Sequence, residues 1–389
     1  MGWEIFTLPA TASPALTALK VWGGVLISIP VICLMGHFFW PVGWTETGSV
    51  TFWQYTFGIL LLIWTGLFGF KLLLYGNRVS QYNQTKQIHK DALAARQSWA
   101  SRYLMVINST VYLPEGLTAS SLINPAHSLE VRYNQVNKLT QFPDLTIRKI
   151  ILSLLSSVSS TLRNLPNSFK PYITVISLEE KYDVQICDAI RSAFVDSNGE
   201  IRPEQSIKIV RALPQTILND WIKSSEENVN ILLALQFPIM CNCSEMAAIF
   251  VFVSDDWADD HKLSGKAKVY RTMDAISDDF QSKYSIMLNM QNVSRLANKI
   301  WLADMKSNEF NMTILQEHRK YIMEFLSENI IDFEKFVGKT GPLGGWMALG
   351  VAADIAQHMN ENQIVLGRWE ENWVVNAIQS SEVVHNDTA

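Results

Sequence analysis

ILLALQF (231–237) and AAIFVFV (247–253) are the two stretches whose reading decides the fold. The second is apolar at every position and the first at all but Gln236. Successive side chains of a strand face opposite sides of its sheet, so a strand with one wet face alternates; one that is apolar throughout needs cover on both faces. The pair therefore predicts inner strands of a layered sheet. Before it, TIRKIILSLLSSVSSTLRNL (146–165) carries apolar residues at helical spacing, YITVISL (172–178) is a β-branched run, DVQICDAIRSAF (183–194) reads as a helix behind Asp183, and TILNDWIKS (216–224) as another. After it come strand candidates AKVYRTM (267–273), KIWLAD (299–304) and NQIVLGRW (362–369), with helices TILQEHRKYIMEFL (313–326) and GWMALGVAADIAQHM (345–359) between them. Strands interleaved with helices give α/β with a mixed sheet. No internal repeat at a fixed short period is evident.

The whole chain of 389 residues is 48% hydrophobic and 18% charged, with 13 Trp and a net charge of −5. A disordered chain carries more charge and fewer aromatics. Four Cys make no disulfide scaffold, and an acidic balance excludes nucleic-acid binding through a generally basic surface. The mean hydropathy of +0.08 reflects an apolar excess concentrated at the front. VWGGVLISIPVICLMGHFFW (21–40) holds no formal charge, and at 1.5 Å per residue it matches a hydrocarbon layer of about 30 Å. FWQYTFGILLLIWTGLFGFKLLLY (52–75) has one charge, Lys71, close enough to its end to snorkel. The predicted organisation is an N-terminal segment (1–20), a two-span transmembrane hairpin (21–75), a helical stalk (76–104), a large α/β domain (105–380) and a disordered tail (381–389). The loop PVGWTETGSVT lacks Lys and Arg, whereas Arg78, Lys86, Lys90, Arg96 and Arg102 follow the second span. By the bias of basic residues, both termini and the domain of a two-pass membrane protein face the cytoplasm. Cys187, Cys241 and Cys243 are an odd number, which suits free thiols on that side.

Chemistry-bearing patterns are few. GKT (338–340) resembles the end of a phosphate-binding loop, but the required earlier glycine position is Phe333, so GKTGPLGG reads as a turn before a helix. CNC at Cys241–Cys243 is half of a zinc site with no second pair. DDWADDH (255–261) lacks the spacing of a calcium loop and reads as a solvated loop. His318 and His358 have no catalytic partner, and both read as surface or capping residues. Cys187, with Ile186 and Ile190 beside it, reads as a structural thiol. No catalytic, cofactor-binding or metal-ligating residue is predicted. Trp257, Trp346 and Trp369 are the candidate partner-binding anchors, since exposed Trp is the strongest interface residue.

WASRYLMVINSTVYLPEGLTASSLI (99–123), directly after the hairpin, resembles membrane-anchored accessory proteins of bacterial type VI secretion gene clusters. NILLALQF (230–237), SEMAAIFVFV (244–253), KVYRTM (268–273) and GPLGGWMALGVAADIA (341–356) are similar to the same group, and their order also resembles the second half of thiolase-like, ketosynthase-type folds. The resemblance implies a thiolase-like domain that binds a secretion-system component or effector. It departs from the thiolase-like enzymes in having no Ala-Cys-Ser nucleophile elbow and no His pair in context, which implies a catalytically silent scaffold. Two other functions stay open: a membrane-bound enzyme on acyl or lipid-derived substrates, and immunity against a membrane-active toxin.

Overall fold

A computed structural model describes residues 3, 13–14, 19–39, 49–123, 130–142, 146–166, 169–195, 207–223, 228–237 and 242–381. The chain divides into two compact units, Phe6–Ala95 and a second made of Met1–Ile5 with Arg96–Ala389. In the first unit, α1 (Leu19–Phe39) and α2 (Ser49–Ala100) are helices with apolar surfaces open to the surroundings, Phe39 and Leu62 among the most exposed side chains. Among the described residues one helix is long and apolar enough to cross a membrane, the stretch Tyr55–Ala100 of α2, and α1 offers only the shorter apolar stretch Lys20–Gly36. Of the expected two-span hairpin, one helix meets that length and α1 falls short of it. Trp22 packs against Trp64 and Phe68 at ring distances of 6.4 and 5.7 Å. With no Pro and no Gly after Gly76, α2 continues unbroken through most of the predicted stalk. The next strand begins at Tyr103, two residues ahead of the predicted domain boundary. The predicted tail lies, apart from Ser381, outside the described residues.

The second unit holds one sheet of 11 strands. In chain order come β1 (Tyr103–Tyr112), α3 (Ala119–Ile123), α4 (Ile147–Arg163), β2 (Lys170–Ser177), α5 (Asp183–Val195), β3 (Ile207–Val210), α6 (Ile217–Lys223), β4 (Asn228–Gln236), β5 (Met246–Ser254) and α7 (Asp255–Asp260). Then follow β6 (Ala267–Tyr270), β7 (Met273–Ala275), α8 (Phe280–Met290), α9 (Asn292–Arg295), β8 (Lys299–Leu302), α10 (Asn311–Arg319), β9 (Ile330–Asp332), α11 (Glu334–Val337), α12 (Gly344–Met359), β10 (Gln363–Trp369) and β11 (Asn372–Ser380). The spatial order is β3-β2-β4-β5-β1-β6-β11-β10-β8-β9, with β7 paired to β11.

That order contains a duplication. Numbered within its own half, each set of five main strands runs third, second, fourth, fifth, first from the outer edge inward. In each half the fifth strand, β5 or β11, is antiparallel to both its neighbours, while the outer three are parallel. The two first strands, β1 and β6, join the halves as an antiparallel pair from Tyr103↔Tyr270 to Val106↔Ala267.

Alternation of side chains along each strand sorts the core into layers. Leu232, Phe250 and Phe252 of the first half and Trp301, Val365 and Ile378 of the second all face one cluster centred on α12. The opposite face of the first half, with Ile231, Leu233 and Val251, packs on α4 and α5. The opposite face of the second, with Ile300, Leu366 and Val375, packs on α8 and α10. Helix α12 is therefore a central layer shared by both halves, and Ala348, Ala352 and Gly350 on it permit the close approach. A Cβ on Gly350 would sit 2.3 Å from Val111 Cγ2. Covered on both faces, β4 and β5 have no need of polar alternation, which is why they are apolar throughout.

Candidate functional site

Helices α6 and α12 occupy the same place in the two halves, each leading into the fourth strand of its half, and their N-termini meet. The indole Nε1 of Trp346 donates to the Leu213 carbonyl at 2.9 Å, and Gln215 Nε2 donates to the Gly345 carbonyl at 2.7 Å. Asn376 Nδ2 donates to Gln215 Oε1 at 3.0 Å, and Thr272 Oγ1 donates to Asn376 Oδ1 at 2.7 Å. Asn219 closes the set: its Nδ2 donates to the Thr272 carbonyl and its Oδ1 accepts from the Thr272 amide, each at 2.9 Å. Gln215, Thr272 and Asn376 are all buried. Gly345 and Gly367 leave room for Gln215, since a Cβ at either position would crowd its Oε1 at 3.1 Å.

Converging helix N-termini are a setting that stabilises a thiolate or an oxyanion. In this chain the setting is filled by amides and one hydroxyl, each satisfied within the protein. The free thiols among the described residues, Cys33 and Cys187, sit elsewhere, on α1 and on the outer-layer helix α5. Cys243 is disulfide-bonded, which corrects the reading of the domain's cysteines as free thiols and removes a zinc ligand. Among the described residues no group of His, Cys, Asp and Glu is arranged to hold a metal ion.

The GKTGPLGG turn supplies its own anion. Glu334 Oε1 accepts from the Thr340 amide at 3.0 Å and from Thr340 Oγ1 at 2.8 Å. Gln236, an inner polar residue of β4, donates from Nε2 to the Thr340 carbonyl at 2.6 Å and accepts from the Leu343 amide at 3.1 Å. Gly338 at φ +77° and Gly341 at φ +65° take the left-handed conformations that let the chain fold back on itself. The amides of Gly338, Lys339, Thr340 and Leu343 are thus already taken within the protein.

Beside this turn lies a cavity of about 690 Å³, lined from the first half by Ala212 and from the second by Met305, Pro342 and Trp369. A second cavity of about 550 Å³ under Trp373 shares Lys306 and Arg368 with it, so the two adjoin along one grooved face. Six carboxylates, three in each cavity, line the groove against three cations, Lys306, Lys339 and Arg368. Trp369, at the end of β10, is half-buried at its mouth.

The other two predicted anchors are not surface residues. Trp346 is 2% exposed and tilts against Phe250 at 6.2 Å within the central layer. Trp257 is 4% exposed: DDWADDH is not a loop but helix α7, capped by Ser254, with Trp257 turned into the core. The acidic run is instead the counter-charge of Arg102, whose Nε donates to Asp255 Oδ2 at 2.6 Å. His318 is likewise inside, with Nε2 2.7 Å from the Tyr284 hydroxyl, and burial pushes its pKa down to about 4. His358 is exposed, as expected of a surface residue.

No protein-family model matches the sequence, and no curated relative does. Among solved structures, the ketosynthase from module 6 of the bacillaene synthase of Bacillus subtilis 168 aligns at a TM-score of 0.51 and 8% identity, over 72% of this chain and 71% of that one. Ketosynthase twelve of the Bacillus amyloliquefaciens bacillaene synthase aligns at 0.49 and 8%, over 72% and 73%. The human mitochondrial 3-ketoacyl-CoA thiolase aligns at 0.43 and 8%, over 72% and 99%. Of these three the first alone passes 0.5, and at 8% identity it speaks to fold and to nothing else. The domain after α2 has a mixed α/β architecture of the thiolase- and ketosynthase-like kind.

Proposed function

We propose that this chain is a noncatalytic accessory protein of the bacterial inner membrane, whose domain binds a component or effector of a type VI secretion system. Two-pass anchoring by α1 and α2, with both termini and the domain in the cytoplasm, is part of the same reading. It is supported by the apolar surface of both helices, the ring contacts between them, and the basic residues that follow the second. The secretion link is supported by the sequence resemblance of residues 99–123 and of the central strands.

The observation that carries the noncatalytic part is the filled junction of α6 and α12. Covalent catalysis requires a nucleophile, a base in reach of it and open access for the substrate; Gln215, Thr272 and Asn376 offer buried amides and a hydroxyl already spent on internal hydrogen bonds. Binding then falls to the groove at Trp369. Its excess of carboxylates suits a Lys- or Arg-bearing segment of a protein partner, with the half-buried indole as the anchor.

A second reading, an enzyme acting on acyl substrates, is favoured by the likeness in fold to a ketosynthase. One experiment separates the two. The full chain is purified from its membranes, captured partners are identified, and acyl-thioester turnover is assayed on the same sample. The adaptor reading expects a protein encoded with type VI secretion genes in the capture, at least about tenfold weaker with Trp369→Ala, as an interface anchor implies, and no turnover. Turnover without such a partner would establish the enzyme instead.

A further inference from the structure

Trp3 precedes both helices of the first unit yet belongs to the folded domain. Its indole Nε1 donates to the Thr272 carbonyl at 2.9 Å, and its ring stands edge-on to Trp99 at 5.3 Å. Trp99 closes α2 and is itself gripped by the domain: the Arg271 guanidinium lies over its ring at 4.8 Å, and Arg271 Nε donates to its carbonyl at 2.8 Å. Gln291, which is buried, binds the same neck from below, its Nε2 donating to the carbonyls of Ala100 and Arg271, each at 2.9 Å. Thr272 in turn reaches Asn219 and Asn376 in the polar junction between the halves. The chain is thus fastened at one place by residues on both sides of Phe6–Ala95.

We propose that Trp3 is a clasp that fastens the segment before α1 to the domain at the neck where α2 delivers the chain. The direct consequence concerns the membrane and rests on the anchored reading above: residues 3 and 99 meet, so the chain between them crosses the bilayer an even number of times. A single crossing by α2 would leave Trp3 and Trp99 on opposite sides. Since α2 is long enough to cross, α1 crosses with it, short as its apolar stretch is.

Hydrogen exchange on the full-length chain tests the clasp. The Arg271 amide donates to the Arg102 carbonyl and the Thr272 amide to Asn219, and both are held by the neck. With Trp3→Ala their exchange is expected to rise about tenfold, the effect of losing one aromatic pair and one hydrogen bond. Trp3→Phe, which keeps a ring and loses the donor, is expected between the two. Exchange unchanged in Trp3→Ala overturns the clasp. The topology is tested on sealed vesicles, with all four native cysteines, Cys33, Cys187, Cys241 and Cys243, replaced by Ser and a single cysteine placed by Ser13→Cys or by Asp260→Cys. Both positions are exposed, and an impermeant thiol reagent is expected to reach both from the same side. Labelling from opposite sides overturns the even crossing. If carbonate extraction releases the protein from the vesicles, the membrane reading fails, and the exchange result still decides the clasp.

Discussion

The two halves of the domain share one strand order and fill it differently. At the same topological place the first half carries α6, with seven residues, and the second carries α12, with sixteen. The outer layers diverge as well: mostly aliphatic side chains of α4 and α5, with the ring of Phe194, cover the first sheet face, whereas stacked rings cover the second, Phe280 on Phe310 at 4.0 Å and His318 on Phe325 at 4.7 Å. Duplicated topology sets where helices go, and each half then solves its own packing. The second half supplies the long central helix, the lining of most of the groove and the buried histidine. Asymmetry of stability should follow.

The largest effect is expected in the central layer. Trp346→Ala removes a buried indole that touches Phe250 and bonds to Leu213, and by the cost of emptying a buried aromatic site it should lower stability by about 3–5 kcal/mol. Denaturant unfolding of the full chain in detergent is the readout. Trp221→Ala on α6, where the indole is half-buried beside Phe252 at 5.8 Å, is the matched change in the first half and should cost clearly less. Equal losses would mean that the halves contribute alike and that α12 has no special place.

The outer layer of the second half gives a pH test. Burial holds His318 neutral, with its pKa down at about 4 from an ordinary 6.5. The folded state binds a proton less readily than the unfolded one, so stability is full above pH 6.5 and is lost as pH falls from there to about 4. The total is about 3 kcal/mol at 1.36 kcal/mol per pKa unit. His318→Gln, which keeps a partner for the Tyr284 hydroxyl but cannot titrate, should flatten that slope. An identical slope in the two proteins would show that other groups carry it. Helices α4 and α5 of the first half carry no histidine.

How much of this was legible depended on whether a signal was local. Strands β4 and β5 declared themselves because cover on both faces makes the whole run apolar. Strands β1 and β11 did not: YLMVINSTVY runs on from a helix and carries Asn108, Ser109 and Thr110, and NWVVNAIQS follows a charged turn. The duplication is written in the order of strands and leaves no repeating residue pattern. Trp257 misled because acidic neighbours suggested a loop, while Arg102, far away in sequence, neutralises them. The junction is the extreme case: Gln215 and Asn376 lie 161 positions apart and resemble any other surface amide until the fold joins them.

That junction also yields the smallest and most discriminating prediction. Gln215→Leu keeps the volume roughly and deletes both polar atoms, leaving the Gly345 carbonyl and Asn376 Nδ2 buried without partners. Stranding buried polar groups costs about 1–3 kcal/mol, less than emptying the Trp346 site. If the junction only holds the halves together, denaturant stability should fall by that amount and partner capture through Trp369 should stay as it was, because the groove is lined by other residues. Had the helix N-termini kept a binding role for a small anionic group, replacing an amide by an alkyl side chain would change ligand binding more than stability. A stability loss without a binding change therefore assigns the meeting point of α6 and α12 to structure, and the difference between the halves to packing alone.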